Sequence, residues 1–250
     1  MKITIMLNPL FLHSFLNKLF KQNRGVAMKL TNTLAFLVFP YISLAIFVLG
    51  HSYRYMTDAY KWNVRSSEFL NKQDTYTSIT LFHWGILMTL VGHAGGLLIP
   101  QSWYDMVGID GQAHTQIAYW GGLVVGIAAF FGIAMLLVRR VKRDRLQAIT
   151  TTNDYITLAG LLFVIGAGLF NVVFGHFYVL DTIAPWIRSI VTFTPAPHLM
   201  MDVPLSYKVH IVSAFALLAF SPFSRLVHIW SAPFVYILRL PILLRRKVES

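Results

Sequence analysis

The sequence predicts an all-α, polytopic membrane protein built on five spanning helices, and three observations carry that expectation. Hydrophobic residues make up 56% of the 250-residue chain and charged residues 12%, a balance foreign to water-soluble domains. Several apolar runs reach or approach the roughly 20 residues that cross a ~30 Å hydrocarbon core as a helix. Lys and Arg gather in the gaps between those runs, where the positive-inside rule places them. The formal charge of +11 is thus read as membrane topology, and nucleic acid is not expected as a partner. With no cysteine, disulfides, thiolate-held clusters and covalent c-type haem attachment are excluded.

In chain order, residues 1–30 form an extension in which Phe11, Leu12, Phe15, Leu16, Leu19 and Phe20 recur at helical spacing among polar neighbours. It reads as a short amphipathic helix on the membrane or, with Met28 as the start, as a segment that is not translated. The membrane domain is expected over 31–236. Its first span is placed at 34–53, loosened by Pro40. A polar segment with Arg54, Lys61, Arg65 and Lys72 follows. The second span, 78–99, carries no charge and holds His83 and His93. The connection after it has Asp105 and Asp110 but no Lys or Arg. A third span at 117–138 runs into the basic cluster Arg139, Arg140, Lys142, Arg143 and Arg145, and a fourth is placed at 155–178. The connection 179–206 carries only Arg188 among Lys and Arg before a fifth span at 207–230, and the tail 237–250 holds Arg239, Arg245, Arg246 and Lys247. The basic connections alternate consistently as cytoplasmic and set the N-terminus outside; the lysines of the extension run against that orientation.

An imidazole within a membrane helix is costly without a partner, so two in one span mark a functional site. His83 and His93 stand about 15 Å apart along their helix. His210 and His228 are 18 residues apart, five whole turns on a continuous helix, and project from one face. Antiparallel second and fifth spans then pair His83 with His228 and His93 with His210, although about 15 Å on one helix faces about 27 Å on the other. Tilt and a kink at Pro222 must absorb that difference. Two bis-imidazole sites without a thiolate suit axial ligation of b-type haem; the competing reading has each histidine bonded to a nearby carbonyl.

Gly85, Gly92, Gly95 and Gly96 either let a flat macrocycle approach the backbone or serve helix packing. Arg225, three residues before His228, either pairs with a haem propionate or snorkels to headgroups. His51, His176 and His198, at or beyond helix ends, are expected to be solvated or interfacial, and Met88, Met200 and Met201 to pack. No phosphate-cradling loop, nucleophile triad or paired-carboxylate site stands out.

The stretches Leu81-Phe82-His83-Trp84-Gly85, Val91-Gly92-His93, Thr150-Thr151-Thr152 and, above all, Pro222-Phe223-Ser224-Arg225-Leu226-Val227-His228-Ile229-Trp230-Ser231 resemble the membrane cytochrome b subunit, or gamma chain, of respiratory nitrate reductase. The resemblance runs from about Leu34 to Arg246. It implies two non-covalent b haems, ligated by His83 and His228 near the cytoplasm and by His93 and His210 near the outside. It further implies quinol oxidation at the outer haem, and electron transfer to an iron-sulfur subunit and a molybdenum-cofactor catalytic subunit on the cytoplasmic side of a bacterial or archaeal inner membrane, with the tail docking on those partners.

Family members place a lysine in the segment leading into the third helix. Here that register offers Ala113 and, beside it, His114, which is expected to serve the quinol, with Gly92 giving the ring close approach; a solvated loop histidine is the competing reading. A related cytochrome b of a sulfite-reduction or heterodisulfide-type complex, and a haem-free anchor or proton-relay transporter, are the alternative functions.

Overall fold

A computed structural model describes residues 22–23, 25–57 and 73–229. The described residues form helices, turns and loops with no strand, and five of the helices are long and apolar enough to cross a membrane. They are α1 (Gly25–Thr57), α2 (Gln73–His93, prolonged by a π-helical turn Ala94–Leu98), α3 (Gly111–Lys142), α4 (Thr152–Phe174) and α5 (Leu205–Phe220). The number and order agree with the sequence reading. Residues 1–21 and 24, the whole loop 58–72 between α1 and α2, and residues 230–250, the tail 237–250 among them, lie outside the described residues.

The helix ends differ from expectation for identifiable reasons. α1 begins upstream of Leu34 and contains a π-helical turn at Leu34–Val38, with the Phe39 N–H bonded to the Leu34 carbonyl. Pro40 explains the loosening, since it has no N–H to give to the carbonyl of Phe36. The indole Nε1–H of Trp186 donates to that carbonyl instead, at 2.9 Å. α3 starts at Gly111 rather than 117 because Asp110 caps it: its carboxylate accepts from the Ala113 N–H at 2.8 Å. α4 opens on a reciprocal cap. The Thr151 N–H donates to the Asp154 carboxylate at 3.0 Å while the Asp154 N–H donates to the Thr151 hydroxyl at 3.3 Å.

α5 is shorter than expected. Pro222 cannot continue the i to i−4 ladder, and Ser224 is extended (φ −123°, ψ −178°). Two single 3₁₀ turns, Ser221–Phe223 and Arg225–Val227, replace the regular helix before His228. The expected kink is a break. The connection 179–206 also holds an unexpected short helix, Ile183–Val191, that buries Ile183, Ala184, Trp186 and Ile190.

The chain divides into two compact units, one of residues up to 42, 87–125 and 167–212, the other of 43–86, 126–166 and 213 onward. In the first, Trp186 meets Phe36 edge-on at 5.7 Å, and Tyr207 donates to the Gly175 carbonyl at 3.0 Å. In the second, Phe82, Ala129, Ile133, Leu161, Ile165 and Leu226 form a buried cluster. There α2 and α3 approach so closely that a Cβ on Gly85 would strike the Ala129 backbone and one on Gly132 the Phe82 backbone. Small residues permit this contact, which is how membrane helices gain dispersion energy in a solvent as apolar as themselves. Gly85 is therefore a packing glycine.

Paired histidine sites

Each unit holds one histidine pair. In the second unit His83 and His228 face each other with ring centroids 6.0 Å apart and planes inclined by 59°. In the first unit His93 and His210 stand 6.2 Å apart, inclined by 37°. The Nδ1–H of His83 donates to the Ile79 carbonyl at 2.8 Å, that of His93 to the Thr89 carbonyl at 2.8 Å, and that of His228 to the Arg225 carbonyl at 2.6 Å. A carbonyl only accepts, so the ring proton sits on Nδ1 and Nε2 keeps its lone pair. Bonding to a backbone carbonyl and pairing across helices, competing readings of the sequence, coexist in these three rings.

The donor set fits a metal between each pair. A metal–imidazole bond is about 2.0–2.1 Å and the ring centre lies about 1.1 Å beyond the nitrogen, so two imidazoles that shared one metal would have centroids no more than about 6.3 Å apart. Both pairs lie within that span. Among the described residues no three His, Cys, Asp or Glu side chains converge, so a metal held by either pair would need its remaining ligands from elsewhere, as a porphyrin would supply them. His210 has its own cradle. A Cβ on Gly168 would lie 2.9 Å from its Cε1, so a side chain there would press the ring out of its place.

The break after α5 corrects the five-turn argument, because His210 and His228 do not share a continuous helix. His228 instead hangs on a segment held from outside. Arg54 donates to the Pro222 carbonyl, Asn153 to the Phe223 carbonyl, and His51 Nε2 lies 3.2 Å from the Ser221 hydroxyl. His51, expected to be solvated or interfacial, is 8% exposed and part of this clamp. Arg225, expected at a propionate, has its Nε and Nη2 engaged by the carboxylate of Asp154, the latter at 2.9 Å. Sequence reasoning passed over Asp154, although the Thr151-Thr152-Asn153-Asp154 pattern has the spacing of a reciprocal helix cap. His176 and His198 are exposed and Met200 is buried, as expected.

In the first unit a second polar cluster adjoins the π-helical turn that follows His93. His114 lies in the first turn of α3 and is 6% exposed, which goes against the competing reading of a solvated loop histidine. Its Nδ1 donates to the Gln101 side-chain oxygen at 2.7 Å. The Gln101 amide in turn donates to Asp105 at 2.8 Å and to the Ile109 carbonyl at 3.0 Å. The ring of Tyr104 lies 4.4 Å away, and a Cβ on Gly96 would sit 3.5 Å from His114 Nε2. Gly92 has open space where a side chain would be. Gln101 and Tyr104 gave no signal in the sequence beyond their position in a charge-poor connection.

Five spanning helices define a multi-pass membrane protein that carries two histidine pairs. A family model, the nitrate reductase gamma subunit, matches residues 32–247. The chain is 39% identical over 214 residues to the nitrate reductase gamma chain of Bacillus subtilis (strain 168), covering 84% of this chain and 96% of that one. It is 32% identical over 217 residues to the respiratory nitrate reductase 1 gamma chain of Escherichia coli (strain K12), covering 85% and 96%. Over 219 residues it is 36% identical to the nitrate reductase-like protein NarX of Mycobacterium tuberculosis (strain ATCC 25618 / H37Rv), covering 85% of this chain and 33% of that protein. The chain belongs to the nitrate reductase gamma subunit family.

Proposed function

We propose that this chain oxidises membrane quinol and delivers the electrons, through two b haems, to the iron-sulfur and molybdenum-cofactor subunits of a respiratory nitrate reductase. The observation that carries this reading is the pair of opposed imidazoles in each unit, 6.0 and 6.2 Å between centroids, with the proton of three of the rings held on Nδ1. His83 and His228 would hold one haem, His93 and His210 the other. When bound, each haem supplies one-electron redox chemistry, which splits the two-electron oxidation of a quinol into steps that an iron-sulfur partner can accept.

The chain's own residues do the rest. His114, with Nδ1 tied to Gln101, presents Nε2 as a hydrogen-bond acceptor for a quinol hydroxyl, and an imidazole takes up and releases protons in the physiological range. The open face at Gly92 gives the quinol ring access one residue from His93. Quinol oxidation releases its protons on the side of the charge-poor connection carrying Asp105 and Asp110. The positive-inside rule supports a cytoplasmic side for the basic cluster after α3 and, by its composition, for the basic tail, where soluble partners would meet the chain. The test is a pyridine haemochrome assay and redox-difference spectrum on the purified chain, followed by addition of a reduced quinol. Two b haems per chain that quinol reduces support the reading; a chain that binds no haem, or haem that quinol never reduces, overturns it.

A further inference from the structure

Resting on the haem assignment at His83 and His228, we propose that Asp154 and Arg225 form a positioning device that sets the orientation and electron donation of the His228 imidazole. The 3₁₀ turn Arg225–Val227 is too short to hold a ligand rigidly by itself, since it has hardly more than one hydrogen-bonded rung. Its position is imposed from α4. Asp154 is 5% exposed and fixed in the helix cap by the Thr151 N–H at 3.0 Å, with Arg140 a further 3.8 Å away. Its two carboxylate oxygens take Nε and Nη2 of Arg225, a fork-to-fork geometry that fixes direction as well as distance. The same residue's backbone carbonyl accepts the Nδ1–H of His228 at 2.6 Å.

The chain of contact is therefore carboxylate, guanidinium, main chain, imidazole. A short Nδ1–H···O=C bond makes the ring a stronger donor through Nε2, which stabilises the oxidised iron and lowers its potential. Slackening the device should raise it. Asp154 and Arg225 act only through the ring, not by touching iron or quinol.

The sign of the shift separates positioning from plain electrostatics. Removing the positive charge of Arg225 would lower the potential if that charge acted on the haem or on a propionate, whereas loss of positioning raises it. The experiment is an optical and electron-paramagnetic-resonance redox titration of the full chain in membranes, for Asp154→Asn, Arg225→Gln and Arg225→Lys. The haem held by His93 and His210 in the other unit is the internal control.

We expect all three variants to move the midpoint potential of the His83/His228 haem upward and to alter its low-spin signature, with the control haem unchanged. Arg225→Lys, which keeps the charge but not the fork, should shift less than Arg225→Gln. A downward shift in Arg225→Gln, or unaltered potential and signature in the arginine variants, overturns the proposal. Should Asp154→Asn fail to accumulate, the two arginine variants decide alone. A wild-type chain without haem defeats the functional reading above and is distinguishable from either result.

Discussion

Gly168 on α4 is the floor beneath the ring of His210: a Cβ at that position would lie 2.9 Å from Cε1 and 3.3 Å from Nδ1 of the imidazole. A side chain at 168 must displace the ring, and the bulkier it is the further His210 moves from its place beside His93. Gly168→Val should therefore remove or perturb the haem of that pair alone, leaving about one haem per chain by pyridine haemochrome. Full and spectrally normal occupancy would show that the ring has other room.

The pairing itself makes a sharper prediction. His93→Ala or His210→Ala should abolish one spectral species, and His83→Ala or His228→Ala the other, because each haem would lose one of only two protein ligands. Low-temperature difference spectra of the four variants would read this directly. Loss of both haems in every variant, or retention of both, contradicts two separate sites.

His114→Ala should leave both haems in place and slow their reduction by quinol, on the order of 10²-fold if the imidazole acts as the proton acceptor. Gln101→Leu should act in the same direction by freeing the ring tautomer. Stopped-flow reduction of membranes is the measurement. Unchanged rates in both variants would move the quinol elsewhere.

Gly132→Ala puts a methyl group into the Phe82 backbone, so α2 and α3 must separate. Overpacking of this kind costs about 1–3 kcal/mol, and the expected result is a lower unfolding temperature in detergent. An unaltered transition would mean that the contact relaxes freely.

Deleting residues 237–250 should release the soluble subunits from the membrane fraction without loss of haem, since the tail's basic residues suit an acidic partner surface as well as lipid. Fractionation followed by haem assay distinguishes the two: a complex that stays membrane-bound assigns the tail to lipid.

The five spans and the histidine pairs were legible because hydropathy and residue spacing are local properties that the fold preserves. The pairing His83–His228 was reached by an argument that the structure alters. Eighteen residues equal five turns only on an unbroken helix, and Pro222 ends α5 before His228. The tertiary clamp from Arg54, Asn153 and Asp154, which places the ring, has no periodic signature. His114 was ambiguous because burial depends on Gln101 and Tyr104 folding back from the preceding connection, which hydropathy cannot register. Gly168 is one glycine among many in apolar helices, and its meaning appears only beside His210. The cap at Thr151 and Asp154 was readable by spacing alone.

The break after Phe220 also bears on the order in which the molecule is made. Arg54, His51, Asn153 and Asp154 all precede the 221–228 segment along the chain, so the ribosome delivers the clamp before the ligand that it holds. A nascent chain with four helices in the bilayer already displays His83, yet its partner imidazole takes up its place only when the last segment is seated in the waiting donors and carboxylate. Closing of the His83–His228 pair thereby becomes a late event, and a chain truncated before His228 leaves His83 without the imidazole that stands 6.0 Å from it.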